Sequence, residues 1–323
     1  MTRRKLILDT DPGIDDAFAM AMLASLPSLE LLAVTTVFGN ADVETTTRNA
    51  AYLCQQLGLD VPLYRGASTP LRRPRGCGAP HVHGDNGLGS VAVPEVYARP
   101  AGTPDAAETI VELVRAHPRR VTLLAIGPLT NLALALRLDP TIADLVEEVV
   151  VMGGAFGTGG RWGNVTPMAE ANIHNDPDAA AAVLSAPWRV TLVGLDVTAR
   201  CILSTTRATD LRRAGRGGEM LWDLSRFYAD AYARFDGLDG CCLHDVAALA
   251  LLVAPDLFGS TTGRVKVTVK GPEAGHTRLV PDLAGFHRVC VEVNADRLID
   301  FFLSVVATAS ADQMIVQGLS GAD

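Results

Sequence analysis

Four aspartates stand close together near the start of the sequence: Asp9, Asp11, Asp15 and Asp16. Carboxylates this close raise one another's pKa unless a cation lies among them. The possible metal ligands in this segment are all oxygen atoms, because it contains no His or Cys. Oxygen ligands favour a hard cation such as calcium or magnesium over zinc. A helix cap alone would need one acid rather than four. The cluster therefore predicts a metal site.

The residues around these acids predict the elements that position them. Residues 5–8 are mostly apolar and predict a strand, Pro12 and Gly13 predict a sharp turn, and the apolar residues 15–26 predict a helix. Asp15 and Asp16 then lie at the start of that helix, where its dipole favours negative charge. In open α/β sheets, ligands bind at the carboxyl ends of such strands.

The rest of the chain repeats this alternation of strand and helix. Apolar, β-branched runs that end in a small or polar residue and precede a helical pattern occupy residues 29–37, 121–126, 149–152 and 190–193. This pattern predicts the α/β class, with a mostly parallel open sheet flanked by helices. Gly-rich stretches at 65–104 and 155–167 predict functional loops. Because no linker composition divides the chain, we expect a single domain over residues 1–323.

Composition narrows the function classes. The 28 basic and 36 acidic residues give a net charge of −8, which argues against a nucleic-acid partner because phosphate binding needs clustered Lys and Arg. The apolar run after Arg3, Arg4 and Lys5 is too short for a secretory signal, and no run is long enough to span a membrane. Six cysteines without C-x-x-C spacing indicate reduced thiols. We therefore expect a cytoplasmic enzyme.

Residues 9–17, with the sequence Asp-Thr-Asp-Pro-Gly-Ile-Asp-Asp-Ala, resemble the signature of the inosine–uridine-type nucleoside hydrolases. Further stretches match the same family in its order, at residues 37–40, 83–88, 127–131, 151–154, 164–167 with 170 and 172, and 244–245. The resemblance implies the Rossmann-like nucleoside hydrolase fold. It also implies hydrolysis of the N-glycosidic bond of ribonucleosides, purine, pyrimidine or both, to ribose and free nucleobase.

The resemblance also assigns the predicted metal. It implies Ca²⁺ held by the side chains of Asp11, Asp16 and Asp245 and by the backbone carbonyl of Ile126. Asp11 would in addition be the general base that activates the water attacking the anomeric carbon, and the 2′- and 3′-hydroxyls of the sugar would complete the coordination. We expect Asp9 to be structural.

A second group of residues is expected to bind the substrate sugar. Amides and carboxylates can orient hydroxyl groups, and by resemblance the sugar contacts are Asp15, Asn40, Met152, Asn164, Glu170, Asn172 and Asp245. Ala171 stands where family members often carry a phenylalanine, so the preference among substrates stays open.

Histidines are the candidates for the nucleobase side. His244 is expected to be catalytic by donating a proton to the departing base, and His83 resembles a second histidine of the base pocket. His81 has no such match and is expected at the surface. Tyr228, Tyr232 and Trp222 lie on a helical pattern at residues 219–234 and could either stack on the base or fill the core.

Two other functions compete with this interpretation. A phosphotransferase of the haloacid-dehalogenase type would use Asp9 and Asp11 over magnesium, but the sequence lacks a later acidic metal motif for it. A non-catalytic nucleoside-binding protein of the same fold would be favoured by a missing metal ligand or base, and all these positions are filled. We therefore expect an enzyme whose partner is a small-molecule ribonucleoside, with no nucleic-acid or membrane partner, and a homodimer or homotetramer.

Overall fold

The computed structural model describes residues 3–89, 91–94, 105–158, 160–215, 217–282, 285 and 287–319, with side chains to residue 308. Its strands in chain order are β1 (Arg4–Thr10), β2 (Leu29–Thr36), β3 (Leu63–Arg65), β4 (Val121–Ala125), β5 (Glu148–Met152), β6 (Val190–Val193), β7 (Ile202–Leu203), β8 (Cys241–Cys242), β9 (Phe258–Val267), β10 (Thr277–Val280) and β11 (His287–Val293).

Helices connect and cover these strands. The α-helices are α1 (Ile14–Ala24), α2 (Val43–Leu57), α3 (Pro80–His83), α4 (Ala106–Ala116), α5 (Thr130–Leu138), α6 (Ile142–Leu145), α7 (Ala171–Asn175), α8 (Pro177–Ser185), α9 (Leu195–Thr198), α10 (Thr205–Ala208), α11 (Gly218–Asp236), α12 (His244–Val253) and α13 (Ala295–Leu319). Two 3₁₀ helices lie at Thr209–Arg213 and Pro255–Leu257.

Nine strands form one sheet in the order β10-β9-β11-β6-β5-β4-β1-β2-β3, and β7 pairs with β8 separately. Seven neighbouring strands of this sheet pair in parallel, namely β11, β6, β5, β4, β1, β2 and β3. Strand β9 pairs antiparallel with both β10 and β11. The predicted α/β class with a mostly parallel sheet is thus confirmed. The chain leaves β1 toward β2 on one side and returns to β4 on the other. This reversal between β1 and β4 is a topological switch point, where open α/β sheets bind ligands.

Both faces of the sheet are buried. Leu6 and Leu8 of β1 belong to a cluster with α1, α2, α11, α12 and α13, whereas Ile7 between them belongs to a cluster with α4, α5 and α8. Successive strand side chains point to opposite faces, so an uninterrupted apolar run is what a doubly covered strand requires. The three-layer packing fixes the strand ends that carry the polar residues.

The segment around the first acids folds as predicted, apart from its boundary. Helix α1 begins at Ile14, and its first turn is closed by Asp16, whose Oδ2 accepts a hydrogen bond from the Gly13 amide at 2.8 Å. The helix ends at Ala24, two residues before the predicted end at Leu26. Pro27 follows Leu26, and a residue that precedes proline is disfavoured in the helical conformation.

The predicted loops are only partly irregular. The stretch 65–104 contains the short helix α3, and its residues 90 and 95–104 lie outside the described part of the chain. Between Met152 and Ala171 the described residues form no helix or strand, as predicted for 155–167. Within the described residues, no helix combines the length and apolarity needed to cross a membrane.

Candidate active site

A cavity of about 430 Å³ opens at the carboxyl ends of the central strands. The predicted site residues that line it are Asp15, Asn40, His83, Ile126, Met152, Asn164, Glu170, Asn172, His244 and Asp245. Asp11 and Asp16 lie behind this lining, where Asn40 contacts both. The Asn40 amide donates to Asp11 Oδ2 at 2.7 Å, and its side-chain nitrogen lies 3.3 Å from Asp16 Oδ2. The structure therefore brings together residues from distant parts of the chain.

Four buried acids form an acid cluster at the cavity: Asp15 and Asp245 line it, and Asp11 and Asp16 lie behind them. Carboxylate oxygens of Asp15, Asp16 and Asp245 lie within 4.8 Å of one another. Asp15 and Asp16 lie in the first turn of α1 and Asp245 in the first turn of α12, so two helix N-termini meet at this point. Helix dipoles favour negative charge there. The acids are thus held by the ends of two packed helices rather than by flexible loops.

Asp11 has one carboxylate oxygen with no hydrogen-bond partner. Its Oδ1 is buried and unpaired among the described residues, while Oδ2 accepts from Asn40. Gly39 and Gly127 pack directly on this carboxylate, and a Cβ at either position would overlap its oxygens. A buried charged oxygen without a partner is costly. The absence of two side chains therefore makes room for the Asp11 carboxylate and leaves one oxygen free for a ligand.

The electrostatics of the acid cluster call for positive charge. Burial, followed by the charge of Asp16, raises the pKa of Asp11 well above its usual value. Burial and then the charges of Asp15, Asp16 and Asp11 do the same to the pKa of Asp245. Burial and the charge of Asp15 raise the pKa of Asp16 to about 6. A cation interacts with the charged form of each acid and lowers these pKa values. The all-oxygen donor set fits a hard divalent ion.

Asp9 has a different environment from these four acids. Its Oδ1 accepts from Thr35 Oγ1 at 2.6 Å and from Asn131 Nδ2 at 2.7 Å. It is 1% exposed and does not line the cavity, and burial raises its pKa to about 7. A structural role agrees with these contacts, whereas a nucleophile would have to reach a substrate.

The predicted sugar-binding segment is organised by its own hydrogen bonds. Glu170 caps α7, and its carboxylate accepts from the amides of Gly154 at 3.0 Å, Asn172 at 2.8 Å and Ile173 at 3.1 Å. Burial nonetheless raises its pKa. Asn172 Nδ2 donates to the Ile126 carbonyl at 3.0 Å. These bonds fix the Glu170 and Asn172 side chains before any ligand binds.

Asn164 and Met152 complete this side of the cavity. The exposed Asn164 accepts from the Ala171 amide at 3.0 Å through Oδ1. The Met152 carbonyl accepts from Asn172 Nδ2 at 3.1 Å. The side chain of Ala171 is a methyl group and has no hydrogen-bonding atom, so Ala171 binds Asn164 through its backbone amide.

A second group of lining residues, which we call the base end, consists of Tyr228, Tyr232, Phe235, Asp236 and His244. His244 is bonded at both ring nitrogens, with Nε2 2.7 Å from the Tyr232 hydroxyl and Nδ1 2.8 Å from Thr198 Oγ1. Burial, then repulsion by Arg161, lowers the pKa of His244 to about 3. The Tyr228 and Tyr232 rings pack edge to face, 4.9 Å between centroids.

The structure separates the three aromatic residues, while stacking on a base stays a prediction for Tyr228, which also belongs to the buried core, and for Tyr232. Tyr228 and Tyr232 face the cavity, whereas Trp222 does not line it and packs against Arg212 and Arg226. His83 is buried beside Tyr228, with 5.3 Å between ring centroids, and burial lowers its pKa to about 4.

Several residues at the mouth of the cavity were not predicted. His81 is exposed, as expected, yet it lines the cavity and packs edge to face on Phe235, 5.4 Å between centroids. Arg161 and Asp236 also line it and form an ion pair. Arg161 is the one charged residue in the stretch 155–167, and this signal could have identified it. Asp236 and Thr198 carry no such signal in the sequence.

Residues 6–300 match the model of a protein family described as inosine-uridine preferring nucleoside hydrolase. The chain is 43% identical over 275 residues to uridine nucleosidase 1 of Arabidopsis thaliana, covering 84% of this chain and 81% of the relative.

Solved structures agree with the sequence comparison. A plant nucleoside hydrolase, PpNRh1, superposes with a TM-score of 0.88 at 34% identity, covering 94% of this chain and 99% of that one. A purine-preferring ribonucleoside hydrolase from Gardnerella vaginalis gives a TM-score of 0.89 at 33% identity, with 95% and 99% covered. These matches support the nucleoside hydrolase interpretation over the phosphotransferase one.

Proposed function

The chain belongs to the inosine-uridine preferring nucleoside hydrolase family, and on that premise we propose that it is a calcium-dependent nucleoside N-ribohydrolase with uridine among its substrates. The observation that carries the proposal is the acid cluster at a cavity that aromatic side chains also line. Uridine is proposed because the Arabidopsis relative is a uridine nucleosidase. The products, ribose and a free nucleobase, would enter nucleoside salvage.

We assign the cation to the side chains of Asp11, Asp16 and Asp245 and to the carbonyl of Ile126. Support comes from the unpaired Oδ1 of Asp11 and from the raised pKa values of Asp11 and Asp245. The carboxylates of Asp16 and Asp245, together with that of Asp15, also lie within 4.8 Å of one another. Calcium accepts six to eight oxygen ligands, so it leaves room for substrate hydroxyls. When bound, such an ion orients oxygen ligands and makes water easier to deprotonate.

The side chains of this protein would then divide the remaining work. Asp11 accepts the proton of the attacking water, because its buried carboxylate has a free oxygen and lies directly behind Asn40, which lines the cavity. Asp15, Asn40, Met152, Asn164, Glu170, Asn172 and Asp245 orient the sugar. Preset side chains lower the entropic cost of reaching the transition state.

On the base side we propose His244 and His83. The hydrogen bond between His244 Nε2 and the Tyr232 hydroxyl links the histidine to an aromatic side chain that faces the cavity. The base would therefore contact the Tyr232 hydroxyl, and His244 would act on it through that hydroxyl.

The test is release of free ribose from uridine, inosine, cytidine, adenosine and guanosine by the purified protein, after chelation and after return of calcium or magnesium. We expect chelation to stop release and calcium to restore it. Deoxyuridine should be a poor substrate, since the 2′-hydroxyl is expected on the cation. Release that is insensitive to chelation would refute the calcium assignment, and no release from any nucleoside would refute the hydrolase proposal.

Thermal unfolding provides a readout that does not depend on turnover. An ion at 100 times its dissociation constant stabilises the folded state by about 2.7 kcal/mol. We expect Asp16→Asn to lose both the calcium-induced rise in melting temperature and ribose release. The matched control is Asp139→Asn, which changes an acid outside the cavity that pairs with Arg115. It should keep both properties.

We also propose a cytoplasmic location and a homodimer or homotetramer. The structure describes all six cysteines and none of them forms a disulfide, and thiols persist in reducing compartments. The oligomer follows from the family resemblance, and light scattering coupled to gel filtration measures it directly.

A further inference from the structure

An ion pair joins the two walls of the cavity at its mouth. Arg161 Nη2 lies 2.9 Å from Asp236 Oδ1, and the two side chains are 32% and 34% exposed. Arg161 comes from the segment between β5 and α7, whereas Asp236 is the last residue of α11. Both residues line the cavity. The pair therefore holds a cationic side chain at the base end.

Arg161 has a charge that is scarce in this cavity. Among the described lining residues it is the single Arg or Lys, whereas acids line both ends: Asp15, Glu170 and Asp245 on the sugar side and Asp236 at the base end. A guanidinium has five N–H donors and stays protonated in proteins. One of its nitrogens is engaged by Asp236, so other N–H groups remain available to a ligand.

His244, the other candidate at the base end, is already engaged in hydrogen bonds. Both ring nitrogens of His244 are within hydrogen-bond distance of protein hydroxyls, those of Tyr232 and Thr198. In this arrangement neither nitrogen is free for a direct bond to a nucleobase. A second group is needed where negative charge develops as the base departs.

We propose that Arg161 is a catalytic residue for departure of the nucleobase and that Asp236 is its positioning residue. This inference rests on the proposed function. In the step concerned, the water oxygen forms a bond to the anomeric carbon while the bond from that carbon to the base nitrogen breaks. The electron pair of the broken bond moves onto the base and is delocalised to its carbonyl oxygen.

An N–H of Arg161 donates a hydrogen bond to that carbonyl oxygen, and the guanidinium keeps its proton. The proton released by the water passes to Asp11 and then to solvent, and solvent protonates the base anion. The overall balance is nucleoside plus water to ribose plus neutral base. Donors aimed at charge that develops in the transition state lower the barrier more than they strengthen substrate binding. The substrates favoured are nucleosides whose base has a carbonyl group, such as uracil and hypoxanthine.

The discriminating experiment compares two leaving groups. The fluorine of 5-fluorouridine withdraws electrons, so its base departs with less help than uracil. We expect Arg161→Gln to lower kcat about 100-fold on uridine and clearly less on 5-fluorouridine, with little change in KM. Added guanidinium ion should partly rescue Arg161→Ala. Asp236→Asn should give a smaller loss with the same dependence on leaving group.

The matched control is Arg234→Gln. Arg234 lies on the same helix end, pairs with Asp230 and does not line the cavity, so its removal should leave both substrates unchanged. Equal losses on the two substrates, or a change confined to KM, would overturn the catalytic role. If circular dichroism shows that Arg161→Gln is poorly folded, Asp236→Asn tests the proposal instead. Its loss of kcat must then also be larger on uridine than on 5-fluorouridine. A wild-type protein that releases ribose from neither substrate would instead refute the proposed function itself.

Discussion

Asn131 provides the sharpest test of how the fold supports the site. This fully buried side chain at the start of α5 makes three hydrogen bonds to separate segments. Nδ2 donates to Asp9 Oδ1 at 2.7 Å and to the Thr36 carbonyl at 3.0 Å, and Oδ1 accepts from the Ala67 amide at 2.9 Å. It therefore ties the ends of β1 and β2 together.

The cost of Asn131→Ala follows from what each partner retains. The Ala67 amide loses the partner shown for it, at about 1–3 kcal/mol, and Asp9 loses one of its two bonds, at about 1.5–3 kcal/mol. The Thr36 carbonyl still accepts from the Gly66 amide, so loss of its bond from Asn131 costs only about 0.5 kcal/mol or more. Because water can enter the polar space left behind, we expect a loss near the lower sum, about 3 kcal/mol.

Urea unfolding followed by circular dichroism measures this loss. The control is Thr35→Val, which keeps the side-chain shape and removes the Oγ1 bond to Asp9 at 2.6 Å together with the longer one to the Leu8 carbonyl at 3.4 Å, at about 1–2 kcal/mol. The double variant should lose less than the two single losses added together, since both bonds to Asp9 end on the same oxygen. A loss below about 1 kcal/mol for Asn131→Ala would refute the argument that this side chain holds the strand ends.

Two further predictions concern packing. Gly39→Ala should lower ribose release at least tenfold, because the new Cβ overlaps the Asp11 carboxylate; Gly76→Ala, which meets no atom within 4 Å, is the matched control and should retain full activity. Phe302→Ala should cost about 3–5 kcal/mol in urea unfolding, because Phe302 is fully buried and packs edge to face on Phe18 at 6.2 Å; a loss under about 1 kcal/mol would contradict the packing of α13 against α1.

The parts that sequence alone predicts are the local ones. Strand β1, helix α1 and the acids between them are contiguous, so periodicity and turn chemistry suffice to place them. The class of the sheet follows from the repeated alternation of strands and helices. The position of Asp245 beside Asp15 and Asp16 does not follow from periodicity, because it depends on α12 packing against α1. Only resemblance to a family indicated it.

What the sequence does not provide is the state of each polar atom. Glu170 reads as a sugar ligand, yet its carboxylate already accepts three backbone amides. His244 reads as a free proton donor, yet both of its ring nitrogens are engaged. Apart from the two cap bonds within α7, these bonds join separate segments, and a sequence pattern does not show which of the possible partners a polar atom takes. The ion pair of Arg161 with Asp236 belongs to the same class.

The acid cluster connects the stability of the fold with the proposed chemistry. Burying several carboxylates together costs free energy, because each is desolvated and repels its neighbours. The packed ends of α1 and α12 and the glycines around Asp11 nonetheless hold these acids in place. A cation that binds them stabilises the folded state by relieving the repulsion. The free energy that makes the cluster unfavourable without an ion is therefore the source of its affinity for one, so the same residues determine both metal binding and the response of stability to calcium.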